Sequence, residues 1–252
     1  MASGAEAASQ LASLVLLDSD FSAMPSVVNE GRRVINNIQR AASLFLVKNI
    51  FSLFLSIISL FTVMPYPLEP IHLSVISAMT IGVPSFILTF EPRYDRVKGR
   101  FLPEVLRRAF PGGLTNVFVV LLCQLFMVVF ALPQDEVSTI CAAILSFVGL
   151  LVLYQICKPF NWFRRLLWWA MAAGIVLCFT LLGDILDLRT WTDEVRLVMF
   201  TLLVMTPTVF LAIQRIFDWC EQTRLRFAAW CRGVWAKRPF RKKKKASVSY
   251  TH

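Results

Sequence analysis

The chain has 252 residues, of which 57% are apolar and 17% charged, against roughly 45–50% apolar in ordinary soluble domains. Its 26 Lys and Arg outweigh 16 Asp and Glu for a net charge of +10, and the excess gathers between apolar runs and near the C-terminus. That placement marks membrane topology and argues against a nucleic-acid partner.

In chain order, the first residues carry no basic leader, and Glu6 and Asp18 interrupt or border the apolar stretch. No cleaved signal peptide is expected, and the N-terminus is expected in the cytoplasm. Leu14, Val15, Leu16 and Leu17 form a short apolar run that stops at Asp18, Ser19 and Asp20, the pattern of a buried parallel strand. Parallel strands need neighbours joined by crossover helices, and no other segment supplies one, so this strand is an orphan. Pro25 suits the first position of a helix, and Val27, Val28, Val34, Ile35 and Ile38 recur among polar residues as far as Arg40. No proline separates this helix from the apolar run that follows, so one long rod is expected to run from the cytoplasm into the bilayer.

A hydrocarbon core of about 30 Å takes about 20 apolar helical residues. Six stretches meet or approach that length, at about 41–63, 71–90, 113–132, 137–157, 166–188 and 195–213. The connections after the first, third and fifth are poor in Lys and Arg. The stretch 91–112, by contrast, holds Arg93, Arg96, Lys98, Arg100, Arg107 and Arg108, the next holds Lys158, Arg164 and Arg165, and the tail holds Arg241 and Lys242 to Lys245. Basic segments stay on the cytoplasmic side, which puts both termini inside a multi-pass protein, expected in the plasma (cytoplasmic) membrane. The basic tail attracts anionic lipid at about 1 kcal/mol per charge.

Polar side chains in hydrocarbon are costly, so their placement is informative. At helical spacing Lys48, Asn49, Ser52, Ser56 and Ser59 share one face of the first span, and Ser74, Ser77, Thr80, Pro84 and Ser85 cluster on the second. Pro84 has no amide hydrogen to give the carbonyl of Thr80, and Gly82 loosens the same turn. A freed carbonyl at membrane depth is tolerated where protein, water or an ion satisfies it. Asn49, Ser52, Ser77 and Thr80 are therefore candidate cation-path residues, with Gly82 and Pro84 as the helix break. Lys48 either snorkels to the cytoplasmic interface or places a built-in cation in the path. Gln124 and Gln155 suit interhelical hydrogen bonds.

No Gly-rich phosphate loop and no Ser/His/Asp set appears, and His72 and His252 are the sole histidines. The six cysteines form no CxxC pair, which argues against a disulfide framework or a zinc site.

Ala2-Ser3-Gly4-Ala5-Glu6-Ala7-Ala8, then Leu14 to Asp18, Asp20-Phe21, Val28, Gly31-Arg32-Arg33 and Asn37-Ile38, resembles the end of the phosphorylation domain and the stalk of P-type (E1-E2) cation-transporting ATPases. Thr80-Ile81-Gly82-Val83-Pro84, with Phe90-Glu91-Pro92, looks like that family's unwound sixth helix. The resemblance implies that the six spans are the fifth to tenth of ten, and that the orphan strand belongs to a HAD-like, Rossmann-type domain whose other strands lie elsewhere. The fold class expected is all-α polytopic, preceded by a short α/β remnant: 1–24 the remnant, 25–40 the stalk helix, 41–218 the six-helix transport domain and 219–252 a basic cytoplasmic tail.

Function follows as an expectation. The chain is a truncated membrane transport domain of an ATP-driven pump for calcium or another cation, lacking the DKTGT aspartate, the nucleotide-binding domain, the TGES loop and the GDGxND hinge. The complete pump would use ATP and Mg2+, and the expected partners are the bilayer, the transported cation and the missing N-terminal portion, in the same or a separate chain. Where calcium pumps of the family place carboxylates on the fifth and sixth helices, this sequence has Ser52 and Ile81, and Ser77 stands where the sixth-helix motif has Asn. Lys48 resembles a lysine of proton and potassium pumps. A six-span secondary carrier or channel, and a non-catalytic membrane interaction protein, remain as alternatives, although the first three spans show no similarity to the last three.

Overall fold

The computed structural model of the chain describes residues 6–16, 20–62, 68, 70–92, 94–96, 99–130, 133–181 and 193–236. They form α1 (Glu6–Leu11), a 3-10 turn (Phe21–Ala23), α2 (Met24–Phe61), α3 (Pro70–Ser77), a π turn (Ala78–Gly82), α4 (Val83–Thr89), α5 (Phe101–Phe130), α6 (Gln134–Cys157), α7 (Trp162–Leu181) and α8 (Asp193–Ala236). Six helices are long and apolar enough to cross a membrane, with α3, the π turn and α4 together making one of them. The chain is thus an all-α, multi-pass membrane protein.

The expected strand at 14–17 does not form where it is described. Residues 14–16 have no regular structure, Leu17 lies outside the described residues, and there is no strand among the described residues to pair with them. A parallel strand without neighbours leaves its backbone groups unpaired, so the apolar run alone cannot hold one. The basic tail at 241–245, Arg93, Lys98, Asp184, Asp187, Arg189 and His252 also lie outside the described residues.

Helix α2 is continuous over 38 residues. Asp20 caps the turn before it, its carboxylate accepting from the Ser22 amide at 2.8 Å, and Pro25 occupies its first turn, where its missing amide costs nothing. Thr62 ends the rod in extended conformation, its amide and hydroxyl both donating to the Ile58 carbonyl at 3.0 Å. The helix starts and ends differ from the apolar runs because charged turns extend several helices beyond the hydrocarbon. Helix α5 begins at Phe101 and α8 continues to Ala236, each carrying charged residues past its apolar stretch.

Helix α6 is the centre, with 67% of its apolar window buried against 39% for α5. It packs on α5, α7, α8 and the π turn, while α5 lies along α2. Small residues let these backbones approach in the absence of a hydrophobic drive between helices. A Cβ on Gly113 of α5 would stand 2.6 Å from Ile50 Cγ2 of α2, and one on Gly149 of α6 would stand 2.5 Å from Thr80 Cγ2 in the π turn.

Candidate cation pathway

The second span is irregular where Pro84 enters it. Residues 78–82 make a π turn, closed by the Val83 amide donating to the Ala78 carbonyl, five residues back. Pro84 follows as the second residue of α4 and is buried, so no amide at that position closes on the Thr80 carbonyl. Single π turns inside α-helices widen the helix by one residue and reorient side chains around it. Here Thr80 points inward, 4% exposed, and Gly149 of α6 presses against it. The hydroxyls of Ser77 and Thr80 donate to the carbonyls of Leu73 and Ile76, the latter at 2.7 Å. Their oxygens keep lone pairs for another donor or a cation.

Beside the π turn lies a cavity of about 40 Å³, where Lys48 of α2, Ser77, Thr80, and Asn116 of α5 interrupt an otherwise apolar wall closed by Gly149 and Val152 of α6. Three of the sequence-derived candidates, Lys48, Ser77 and Thr80, therefore meet. Asn49 is exposed and Ser52 half-buried on other parts of α2, and neither lines the cavity. Gly82 is exposed and Pro84 buried behind the turn. Asn116 was not anticipated. Its signal was a lone amide between Thr115 and a run of apolar residues in a membrane span, where polar groups are rarely idle.

A second polar constellation sits below the end of α4, and sequence reasoning did not foresee it. Arg164 at the start of α7 donates through Nε to both carboxylate oxygens of Glu91, at 2.9 and 2.8 Å, and through Nη1 to the Pro159 carbonyl at 2.6 Å. Arg40 of α2 reaches the same carboxylate at 3.2 Å. The three side chains are 3–10% exposed. Close by, Asn37 donates to the Thr89 carbonyl at 3.1 Å and Asn36 to that of Asp95 at 2.9 Å. The N-terminal half of α2 thus grips the end of the π-containing span and the segment after it.

No family model matches the chain. It is similar to a probable cation-transporting ATPase of Streptococcus pneumoniae, 32% identical over 225 residues that make up 85% of this chain and 29% of that protein. It is also similar to the calcium-transporting ATPase CtpE of Mycolicibacterium smegmatis, 36% identical over 72% of this chain and 25% of that one. A P-type sodium-transporting ATPase of Plasmodium falciparum matches 63% of the chain at 27% identity. The chain belongs to the P-type cation-transporting ATPases. This P-type ATPase chain spans about a quarter to three tenths of the length of the first two relatives, consistent with the C-terminal part of such a pump. Among its described residues no three His, Cys, Asp or Glu side chains are grouped so as to hold a metal ion. Its oxygen donors at the π turn are hydroxyls, an amide and backbone carbonyls, a neutral set beside one lysine.

Proposed function

We propose that the chain is the membrane transport domain of an ATP-driven cation pump, moving calcium or another cation. The observation that carries this is the π turn at the wall of a partly polar cavity, with Pro84 just after it, in a span gripped at its cytoplasmic end by the 38-residue helix α2. Broken or widened membrane helices present backbone carbonyls to ions, and a continuous helix from cytoplasm to cavity suits transmission of force. In this reading Ser77 and Thr80 line the path, Asn49 and Ser52 lie on α2 for contact with further spans, and residues 1–24 are the end of a phosphorylation domain. The names of the relatives, which include calcium, sodium and unspecified cation transporters, support the substrate class without choosing within it.

ATP and Mg2+ belong to the complete pump in this reading. The residues present do not fit them: the sequence holds no phosphate loop and no DKTGT aspartate, and the described residues offer no carboxylate cluster. The portion that binds nucleotide would lie outside these 252 residues, in the same or a separate chain.

The test is a chimera in which this chain replaces the matching last part of the Streptococcus pneumoniae relative. A cation-dependent aspartyl phosphate is expected, and Pro84→Ala, which restores the helical amide, is expected to cut ion-stimulated turnover at least about tenfold by misplacing the path oxygens. A folded chimera that forms no cation-dependent phosphoenzyme overturns the reading. Unchanged turnover in Pro84→Ala removes the helix break from it.

A further inference from the structure

The cavity between α2, α3 and α5 brings together two groups with complementary, unmet hydrogen bonding. Asn116 is 6% exposed, and its Oδ1, an acceptor, has no hydrogen-bond partner among the described residues. Lys48, half-buried on α2, forms no hydrogen bond or ion pair among the described residues, and its ammonium carries three donors and no acceptor. Both line the same space of about 40 Å³. They do not bond to each other directly, and an occupant that reaches both would accept from the lysine and donate to the asparagine oxygen.

Water does both. A buried water needs at least about 10–15 Å³ and two to four polar partners, and the cavity supplies the room and four candidate partners: Asn116, Lys48, and the oxygens of Ser77 and Thr80. The two hydroxyl hydrogens are already given to the carbonyls of Leu73 and Ile76, which leaves those oxygens as acceptors. A calcium-like ion fits poorly, because it takes six to eight oxygens with carboxylates among them, whereas no carboxylate lines this space and a lysine does.

We propose that the cavity is a built-in hydration site, in which ordered water bridges the Lys48 ammonium to Asn116 Oδ1 and so fixes the lysine charge beside the π turn. Asn116 is then a positioning residue contributed by α5. The inference goes beyond the transport reading and is tested separately from it. A chimera without phosphoenzyme leaves the hydration site standing, and a dry cavity leaves the pump assignment standing.

The test uses the full chain in lipid nanodiscs, with asparagine and leucine carrying carbon-13 and nitrogen-15, by solid-state NMR with polarisation transferred from water. The Asn116 Cγ signal is assigned by its loss in Asn116→Leu. Rapid transfer from water to this buried carbon is expected, together with its loss in Lys48→Met and partial retention in Lys48→Gln, whose amide donates but carries no charge. In a thermal double-mutant cycle, Lys48→Met and Asn116→Leu are each expected to lower the midpoint, and the double variant to recover most of the loss. Transfer to Asn116 Cγ as slow as to neighbouring buried leucine-side carbons overturns the proposal, and so does transfer unchanged by Lys48→Met. The wild-type measurement decides the first point even where a variant fails to fold.

Discussion

Glu91 carries more of this bundle than its position after a helix end suggests. Its carboxylate is shared by two guanidiniums from α2 and α7, all but removed from solvent. Removing one partner of a buried ion cluster costs more than the cluster contributes, because the charges left behind have no compensation. Glu91→Gln keeps the shape and strips the charge, and is expected to destabilise the chain by about 3–5 kcal/mol, read as a loss in denaturant or thermal midpoint in detergent micelles. A change no larger than that of an exposed control such as Glu30→Gln, whose pair with Arg33 is solvated, would show that the cluster is not holding the helices. Gly149 tests packing at the same scale. Its alanine methyl would meet Thr80 Cγ2 at 2.5 Å, so Gly149→Ala forces the threonine toward the cavity or α6 away from the π turn. Overpacking of this kind costs about 1–3 kcal/mol, and recovery in Gly149→Ala with Thr80→Ser, which removes the opposing methyl, would identify that contact as the cause.

Among the elements, α2 and the second span behave as a joined pair. Asn37 holds the Thr89 carbonyl, Asn36 that of Asp95 and Arg40 the side chain of Glu91, three grips within two turns of α2. Asn37→Ala leaves the Thr89 carbonyl without its donor, a loss of about 1 kcal/mol. The expected readout is faster amide hydrogen exchange over residues 89–91 with exchange in the middle of α2 unchanged. Equal exchange in variant and wild type would mean that the grip does not restrain the end of α4. These elements also separate what the sequence disclosed from what it withheld. The six apolar helices, the irregular turn before Pro84 and the inward placement of Thr80 follow from length, from a missing amide and from helical periodicity, all local quantities. The Glu91 cluster is not local: its arginines lie 51 and 73 residues away in sequence, and in the sequence Arg40 reads as the end of the stalk helix and Arg164 as a loop charge. Asn116 became meaningful because the close approach at Gly113 sets α5 against α2. The stripe containing Asn49 and Ser52 covers an arc of roughly 100°, too wide to say from sequence which of its members face a given neighbour.

For the whole molecule, the charged pairs locate one face of the membrane. Arg107 of α5 bonds Asp218 and Glu221 of α8 at 3.0 and 2.9 Å, and Gln155 near the end of α6 borders the same space as Arg107 and Asp218. Two residues further on, the Cys157 carbonyl accepts from Arg164 at 3.4 Å, which joins this group to Glu91 and Arg40. In the sequence the segments 91–112, 158–165 and 219–252 hold most of the Lys and Arg, and the connections at 64–70 and 133–136 hold none. Basic loops are retained in the cytoplasm, which predicts that the ion-pair collar forms the cytoplasmic rim. Single cysteines placed in a cysteine-free chain test this in intact cells with a membrane-impermeant maleimide. Tyr66→Cys and Asp135→Cys are expected to react from outside, and Asp95→Cys and Asn161→Cys only after permeabilisation. The inverse pattern would put the +10 charge excess on the outer face and make α2 enter from the wrong side to deliver force. Mixed labelling at a single site would instead show two orientations, incompatible with a helix bundle whose cytoplasmic grips fix one direction of coupling.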